Sequence, residues 1–309
     1  MFAEAICDIA RPVLQLLPTG RIRVLRWLGG AGLDDRRWEL ARHRHRVFYD
    51  KVIDAYVCAD LADWTGRWHY YSGRFWDRLN QLVIDQVLRT GDIYVDVGAN
   101  LGMHSLLASR RVGADGMVVA IEPNPRTFHV LQLHSMINRI DNITLWNLGM
   151  SDHEGKLELI GDPSHSAMYS AVDHGQGTDR VEIKLEMLDN ILRGEDLNRA
   201  RVLVKIDVEG HECNVLAGMK NLLARRNVVV SLEVTPAWIE QAGRSVDELL
   251  ALLTDAGYRI LSPVRRRSPF RETSWVLTDG SLPRTGQRDV VLVSEQSAEF
   301  LGSLYQEGA

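Results

Sequence analysis

Apolar and polar positions change period near residue 92 of this chain. Before that point apolar residues recur mostly at helical spacing. The clearest run is WDRLNQLVIDQVLRTGD (76–92), with Leu79, Leu82, Val83, Gln86 and Val87 at i, i+3, i+4, i+7 and i+8 and Gly91 at its end. Four of those five are apolar, so one helix face can pack on a core. Beyond residue 92, short β-branched runs alternate with helical stretches: strand 93–99, helix 101–111, strand 117–123, helix 126–139, strand 143–150. That alternation predicts βαβ units and a parallel sheet. Residues 151–190 break the rhythm. Three short strand patterns surround polar loops there, which predicts an inserted flap at about 153–185. The alternation then resumes with strand 201–210, helix 212–225, strand 227–236 and helix 245–258. The last of these opens with a capping box, Ser245 followed three residues on by Glu248. Residues 258–263 and 288–296 are further strand candidates, with a loop or hairpin at 265–287.

The expected architecture is α/β. It is a mostly parallel sheet with its helices in residues 75–309, preceded by a helical appendage in residues 1–74. The 309 residues, 45% hydrophobic and 25% charged, can bury a core and exclude bulk disorder. The net charge of −5 argues against a nucleic-acid partner. Cys7, Cys58 and Cys213 are scattered without a C-x-x-C, so neither a disulfide framework nor a zinc site is expected, and a reducing, cytoplasmic setting fits. No apolar run reaches the ~20 residues needed to span a bilayer, and the first residues do not read as a signal peptide.

Two constellations carry chemistry. In DVGANLG, Gly98 and Gly102 frame the turn between a strand and a helix, Asp96 sits at the strand's carboxyl end, and Glu122 ends the next strand. Ligands of open parallel sheets bind at those carboxyl ends, where an acid can accept ribose hydroxyls. The dinucleotide fingerprint G-x-G-x-x-G is not matched, and Asp96 would repel a diphosphate while welcoming an ammonium group. A ribose with a cationic amino-acid tail, as in S-adenosyl-L-methionine, fits better than NAD. Asp152, after the third strand, falls where an adenine would lie, or else is a turn residue. The second constellation is KIDVEGHE. Asp207 and Glu209, two apart on a strand, would share a face. His211 reads as a turn residue or a general base, Glu212 as a first-turn helix acid, and Glu233 in SLEVTP as one more inward acid. A metal on Asp207, Glu209 and His211 lacks a suitable ligand set, so none is assigned.

With DVGANLG, EPNP (122–125), NLGMSD, KIDVEGHE and a following LE at 232–233, the sequence resembles the FkbM family of class I S-adenosylmethionine-dependent methyltransferases over about residues 75–262. The resemblance implies a Rossmann-like class I methyltransferase sheet of seven strands, and methyl transfer to an oxygen of a sugar, glycan or secondary metabolite. It implies that Asp96, Gly98, Asn100 and Gly102 hold the methionine end of the cofactor, Glu122 with the neighbouring Asn124 the ribose side, and Asp152 the adenine side. Asp207 and Glu209, then His211, would face the reaction centre as bases. An NAD-dependent oxidoreductase and a methyltransferase acting on nitrogen are the competing readings. Five of the eight tryptophans lie before residue 77; WTGRWHYYSGRFW (64–76) either anchors the appendage or stacks on an acceptor. RHRHR (42–46) reads as a solvated basic helix face or a site for an anionic partner. The apolar start, followed by Arg21, Arg23 and Arg26, fits a peripheral membrane helix or equally a homo-oligomer contact.

Overall fold

The structure is a computed structural model that describes residues 2–17, 21–28, 38, 44–161, 169–170, 179–198, 200–266 and 274–306. Its strands are β1 (His45–Asp50), β2 (Ala55–Asp60), β3 (Ile93–Val97), β4 (Met117–Ile121), β5 (Ile143–Trp146), β6 (Gly149–Met150), β7 (Gly155–Gly161), β8 (Asp179–Glu186), β9 (Val202–Ile206), β10 (Val228–Val234), β11 (Arg259–Arg266), β12 (Ser274–Asp279) and β13 (Arg288–Val293). Its α-helices are α1 (Phe2–Leu16), α2 (Arg21–Trp27), α3 (Trp64–Ser72), α4 (Arg78–Val87), α5 (Met103–Val112), α6 (Pro125–Ile137), α7 (Leu188–Ile191), α8 (Glu212–Ala217), α9 (Lys220–Leu223), α10 (Pro236–Gln241) and α11 (Val246–Asp255).

The main sheet has the order β12-β11-β13-β10-β9-β3-β4-β5. The run from β10 to β5 is parallel, while β13 enters antiparallel between β10 and β11. The expected Rossmann-like sheet is present with eight strands instead of seven. The extra edge is β12, which pairs antiparallel with β11 inside the segment read as loop or hairpin. From β3 the chain winds outward to β4 and β5, then returns as β9 on the other side of β3. The strand order therefore reverses between β3 and β9, and a crevice opens at their carboxyl ends.

Alternation along the buried strands sorts their side chains into two cores. Ile93, Val95, Val97, Val204 and Val230 face the layer holding α8 and α11. Tyr94, Leu203 and Val229 face α4 and α5, together with Phe48, Ile53, Val57 and Ala59 of the β1–β2 hairpin. The expectation of a helical appendage over residues 1–74 is thus corrected: an antiparallel hairpin sits within it and shares the core of the main sheet. Its Phe48 and Val57 alternate inward with exposed neighbours, a period-two pattern too short to stand out beside the helices. The described part of RHRHR is likewise a strand start and not a helix face, with Arg44 paired to Asp60 and Arg46 to Glu4 and Asp8. The capping box forms as expected. The helix expected over 212–225 breaks at Gly218, where any Cβ would lie 1.9 Å from the Ser151 carbonyl oxygen.

The flap is a second sheet, β6-β8-β7, in which β7 and β8 form an antiparallel hairpin. Of the third strand expected within it, only Tyr169 and Ser170 are described; the rest lies outside the described residues.

Candidate active site

A cavity of about 540 Å³ occupies the crevice at the carboxyl ends of β3 and β9. This is within the range of cofactor sites. The turn after β3 builds one wall. Gly98, Asn100 and Gly102 all adopt left-handed backbone, with φ of 77°, 49° and 84°. A Cβ at Gly98 would fall 1.9 Å from the Asp207 carbonyl oxygen, so glycine is what lets this turn close on the end of β9. Asparagine tolerates the left-handed region better than most residues, and Asn100, which lines the cavity, has a buried Oδ1 without a hydrogen-bond partner among the described residues.

Glu122 follows β4 and lines the same cavity. Its two oxygens accept the backbone N–H groups of Asn100 (2.8 Å) and Asn124 (2.9 Å). Burial pushes Glu122 up to about 7, against those two donors, which favour its charged form. Asn124 itself does not reach the cavity; its side chain caps α6 by accepting from the Arg126 amide. The flap supplies an apolar wall of Leu157, Leu159, Ile183 and Leu185, with Leu148 and Met150 beside it.

At the tip of β9, Asp207, Glu209 and Glu233 bring carboxylate oxygens within 4.8 Å of one another. Strand alternation does not produce this grouping, as the sequence pattern implied. β9 ends at Ile206, and Glu209 sits in a left-handed turn (φ 54°) that swings it toward Asp207. The turn is pinned by Ser170 of the flap, whose hydroxyl donates to the Glu209 carbonyl at 2.9 Å. Burial and then the neighbouring Asp207 push Glu209 far above the ordinary carboxyl range. The same two causes push Glu233 up to about 9. Among the described residues these three carboxylates are the grouping with donors placed to hold a cation. His211 does not join them: its Nε2 lies 3.2 Å from the Ser151 hydroxyl, and burial lowers its pKa. It still lines the cavity.

Besides Asn124, three more expected cofactor contacts lie outside the cavity. Asp96 is 0% exposed and does not line the cavity. It shares the face of Tyr94, beneath α5, where Ser105 donates to its Oδ2 at 2.6 Å and Lys205 approaches Oδ1 at 3.8 Å. Asp152 lies outside the cavity on a turn, held by His153, Asn214 and Arg244. Gly102 does not line the cavity either; a Cβ there would fall 2.3 Å from Leu131 Cδ1. Gly98, Asn100, Glu122, Asp207, Glu209 and His211 are the expected residues that the fold does bring together.

The sequence reading missed Lys205. It sits in register with Asp96 on β3 and Ser231 on β10, donates to Asp207 at 3.0 Å, and lies at the cavity floor. Burial works against its charge, but Asp207 and Asp96 outweigh burial and hold its ammonium above the usual lysine value. The available signal was a lysine inside an otherwise apolar strand, a placement that requires paired charge. Also missed were Asp77 and His104, whose Oδ2 and Nε2 lie 3.3 Å apart in the cavity wall. Trp64 and Trp76 line the cavity near them, whereas Trp68 packs edge-on against Trp64. The segment therefore packs within the appendage and also presents two tryptophans to the cavity.

A Rossmann-like sheet whose strand-order reversal carries a buried acid just after β4 and grouped carboxylates at the ends of β9 and β10 has the architecture of a class I methyltransferase. The sequence comparison gives the family: the methyltransferase FkbM domain matches residues 96–260, just over half the chain, and the chain belongs to that family of S-adenosylmethionine-dependent methyltransferases. It is 32% identical over 145 residues to the hexuronic acid methyltransferase AglP of Haloferax volcanii, covering 45% of this chain and 54% of AglP. It is 30% identical over 144 residues to methyltransferase 1 of Beauveria bassiana, covering 40% of this chain and 57% of that protein. To the 31-O-demethyl-FK506 methyltransferase FkbM of Streptomyces tacrolimicus it is 26% identical over 206 residues, covering 57% and 75%. The matches to the first two span little more than half of those relatives' length. The crystal structure of an FkbM methyltransferase from Methylobacillus flagellatus aligns over 87% of this chain and 59% of its own, at 14% identity and a TM-score of 0.39.

The cavity suits this cofactor. Glu122 can accept a ribose diol, Asn100 Oδ1 is a buried acceptor without a protein partner, the flap wall is apolar enough for an adenine, and Gly98 leaves room no side chain could share.

Proposed function

We propose that this protein transfers the methyl group of S-adenosylmethionine to a hydroxyl oxygen of a sugar, glycan or secondary metabolite. The observation that carries the reading is the convergence of Asp207, Glu209 and Glu233 in the same cavity as Glu122. The cofactor supplies an electrophilic methyl on a sulfonium. Glu122 accepts the ribose hydroxyls, Asn100 accepts from the amino-acid end, and the flap leucines cover the adenine. Asp96 acts at one remove, holding Lys205 so that Lys205 fixes Asp207.

A hydroxyl is a poor nucleophile at neutral pH and needs a base as the new bond forms. Burial first, and then the neighbouring carboxylates, raise the basicity of Glu209, so the fraction of it that is ionised takes the acceptor proton more readily than an isolated carboxylate would. Trp64 and Trp76 offer aromatic faces on which an acceptor ring stacks. The reading needs no metal ion, because Lys205 already sets positive charge beside Asp207.

The test has two parts. S-adenosylhomocysteine and NAD are titrated calorimetrically in parallel, and only the former binds. A deuterated-methyl donor is then incubated with hydroxylated and aminated acceptors, and the label is located by NMR. Methyl on nitrogen overturns the choice of oxygen, and NAD binding overturns the cofactor. Glu209→Gln keeps S-adenosylhomocysteine affinity and lowers kcat by about 10²–10⁴; loss of affinity instead removes Glu209 from the role of base.

A further inference from the structure

Helix α1 carries its charge on the side facing the protein. Its three charged residues are Glu4, Asp8 and Arg11. Arg46 donates to Glu4 at 3.1 Å and to Asp8 at 2.9 Å, the Tyr71 hydroxyl donates to Asp8 at 3.1 Å, and Arg11 donates to the Tyr70 carbonyl while its guanidinium lies 3.9 Å from the Tyr70 ring centre. Cys7 and Leu14 pack inward beside them. The outward residues are Ala5, Ile9, Pro12, Val13 and Leu16. At 100° per residue they form one unbroken apolar stripe about 100° wide. Ile9 is 80% exposed, Val13 63% and Leu16 82%.

This is the reverse of a helix on a water-facing surface, where the polar stripe faces out. Helix α2 packs beside α1 and continues the pattern. Trp27 is 84% exposed, Val24 lies partly open, Arg23 stands out to solvent, and Arg26 is exposed with its guanidinium 5.5 Å from the Trp68 ring centre, while α2 contains no acid. An apolar stripe beside exposed arginines and an exposed tryptophan is the composition of a helix lying in the plane of a bilayer interface. A second copy of the same face would set these arginines near their own counterparts, whereas anionic headgroups neutralise them. No helix among the described residues is long and apolar enough to cross a membrane, so the contact is peripheral.

We infer that the α1–α2 face docks on an anionic phospholipid surface, with Ile9, Val13, Leu16 and Trp27 in the interface and Arg23 and Arg26 on the headgroups. α1 also packs on α3, whose first turn places Trp64 and Thr65 in the cavity wall. Docking would therefore anchor the element that lines the acceptor end of the site.

The experiment is flotation of the full chain with phosphatidylcholine vesicles, with and without phosphatidylglycerol. The protein floats with the anionic vesicles, and salt weakens the association. Arg23→Glu with Arg26→Glu lowers partitioning at least about twentyfold, since each basic residue near such a surface contributes about fivefold. Ile9→Glu with Leu16→Glu abolishes it, and its thermal melt matches the parent because both replaced side chains are exposed. Arg26→Glu also loses the contact with Trp68, so Arg23→Glu alone, with a parental melt, is expected to lower partitioning about fivefold. Absence of flotation with anionic vesicles overturns the inference. So does a parent dimer, seen by light scattering, that Ile9→Glu with Leu16→Glu splits while lipid binding is absent, because the face is then a self-association surface.

Discussion

If Glu122 accepts the ribose as proposed, cofactor binding is a proton-linked event. Its carboxyl is buried, and burial lifts it from an ordinary 4.5 to about 7. Both oxygens already face backbone N–H donors from Asn100 and Asn124, so the ionised form is the one arranged to accept further hydrogen bonds from a ribose. A ligand that binds only this form loses affinity in proportion to the ionised fraction. That fraction falls from about nine-tenths at about pH 8 to about one-tenth at about pH 6, so S-adenosylhomocysteine binding weakens about tenfold, or about 1.4 kcal/mol. Near pH 7 binding also releases about half a proton. Calorimetry in buffers of different ionisation enthalpy reads both quantities. Glu122→Gln binds more weakly at high pH and loses the pH dependence.

The linked stability has the opposite slope. A carboxyl whose folded pKa is raised contributes stability below 4.5 that is lost as the pH climbs through about 7, so the ligand-free protein weakens over that window and the ligand restores more stability at the alkaline end. An affinity that is flat between about pH 6 and about pH 8, with no proton released, would refute the assignment of Glu122 to the ribose.

Two further outcomes follow from the same wall of the site. Lys205→Met leaves Asp96 buried with Ser105 as its remaining donor and lowers unfolding free energy by about 3–5 kcal/mol, read from urea melts; a change under about 1 kcal/mol would mean that Asp96 takes up a proton at little cost. Gly98→Ala drives a Cβ into the Asp207 carbonyl and abolishes S-adenosylhomocysteine binding, while circular dichroism still reports the parallel sheet; retained micromolar binding would mean that the turn after β3 yields.

How much of this was legible before folding depended on the range of the signal. The parallel strands and their helices could be read because burial on both faces demands near-continuous apolar runs. The turn at Gly98 and the acid Glu122 could be read because both lie at fixed offsets from a strand end. The β1–β2 hairpin could not, because its alternation is brief and its partner core lies in β3, β9 and β10. The edge strand β12 could not, because it is defined by pairing with β11 across a polar connection.

Local periodicity and strand-end position were enough for the fold class, the turn at Gly98, the acid Glu122 and the acids available for chemistry at the end of β9. Only the tertiary structure decided which acids meet. Asp96 fell on the face of β3 beneath α5 and became a partner of Lys205, while a left-handed turn moved Glu209 beside Asp207 and Glu233. The same packing turned the charged side of α1 inward and left its apolar stripe outside. Which side of a strand or helix faces a distant element is set by long-range packing, and one-dimensional spacing carries no record of it.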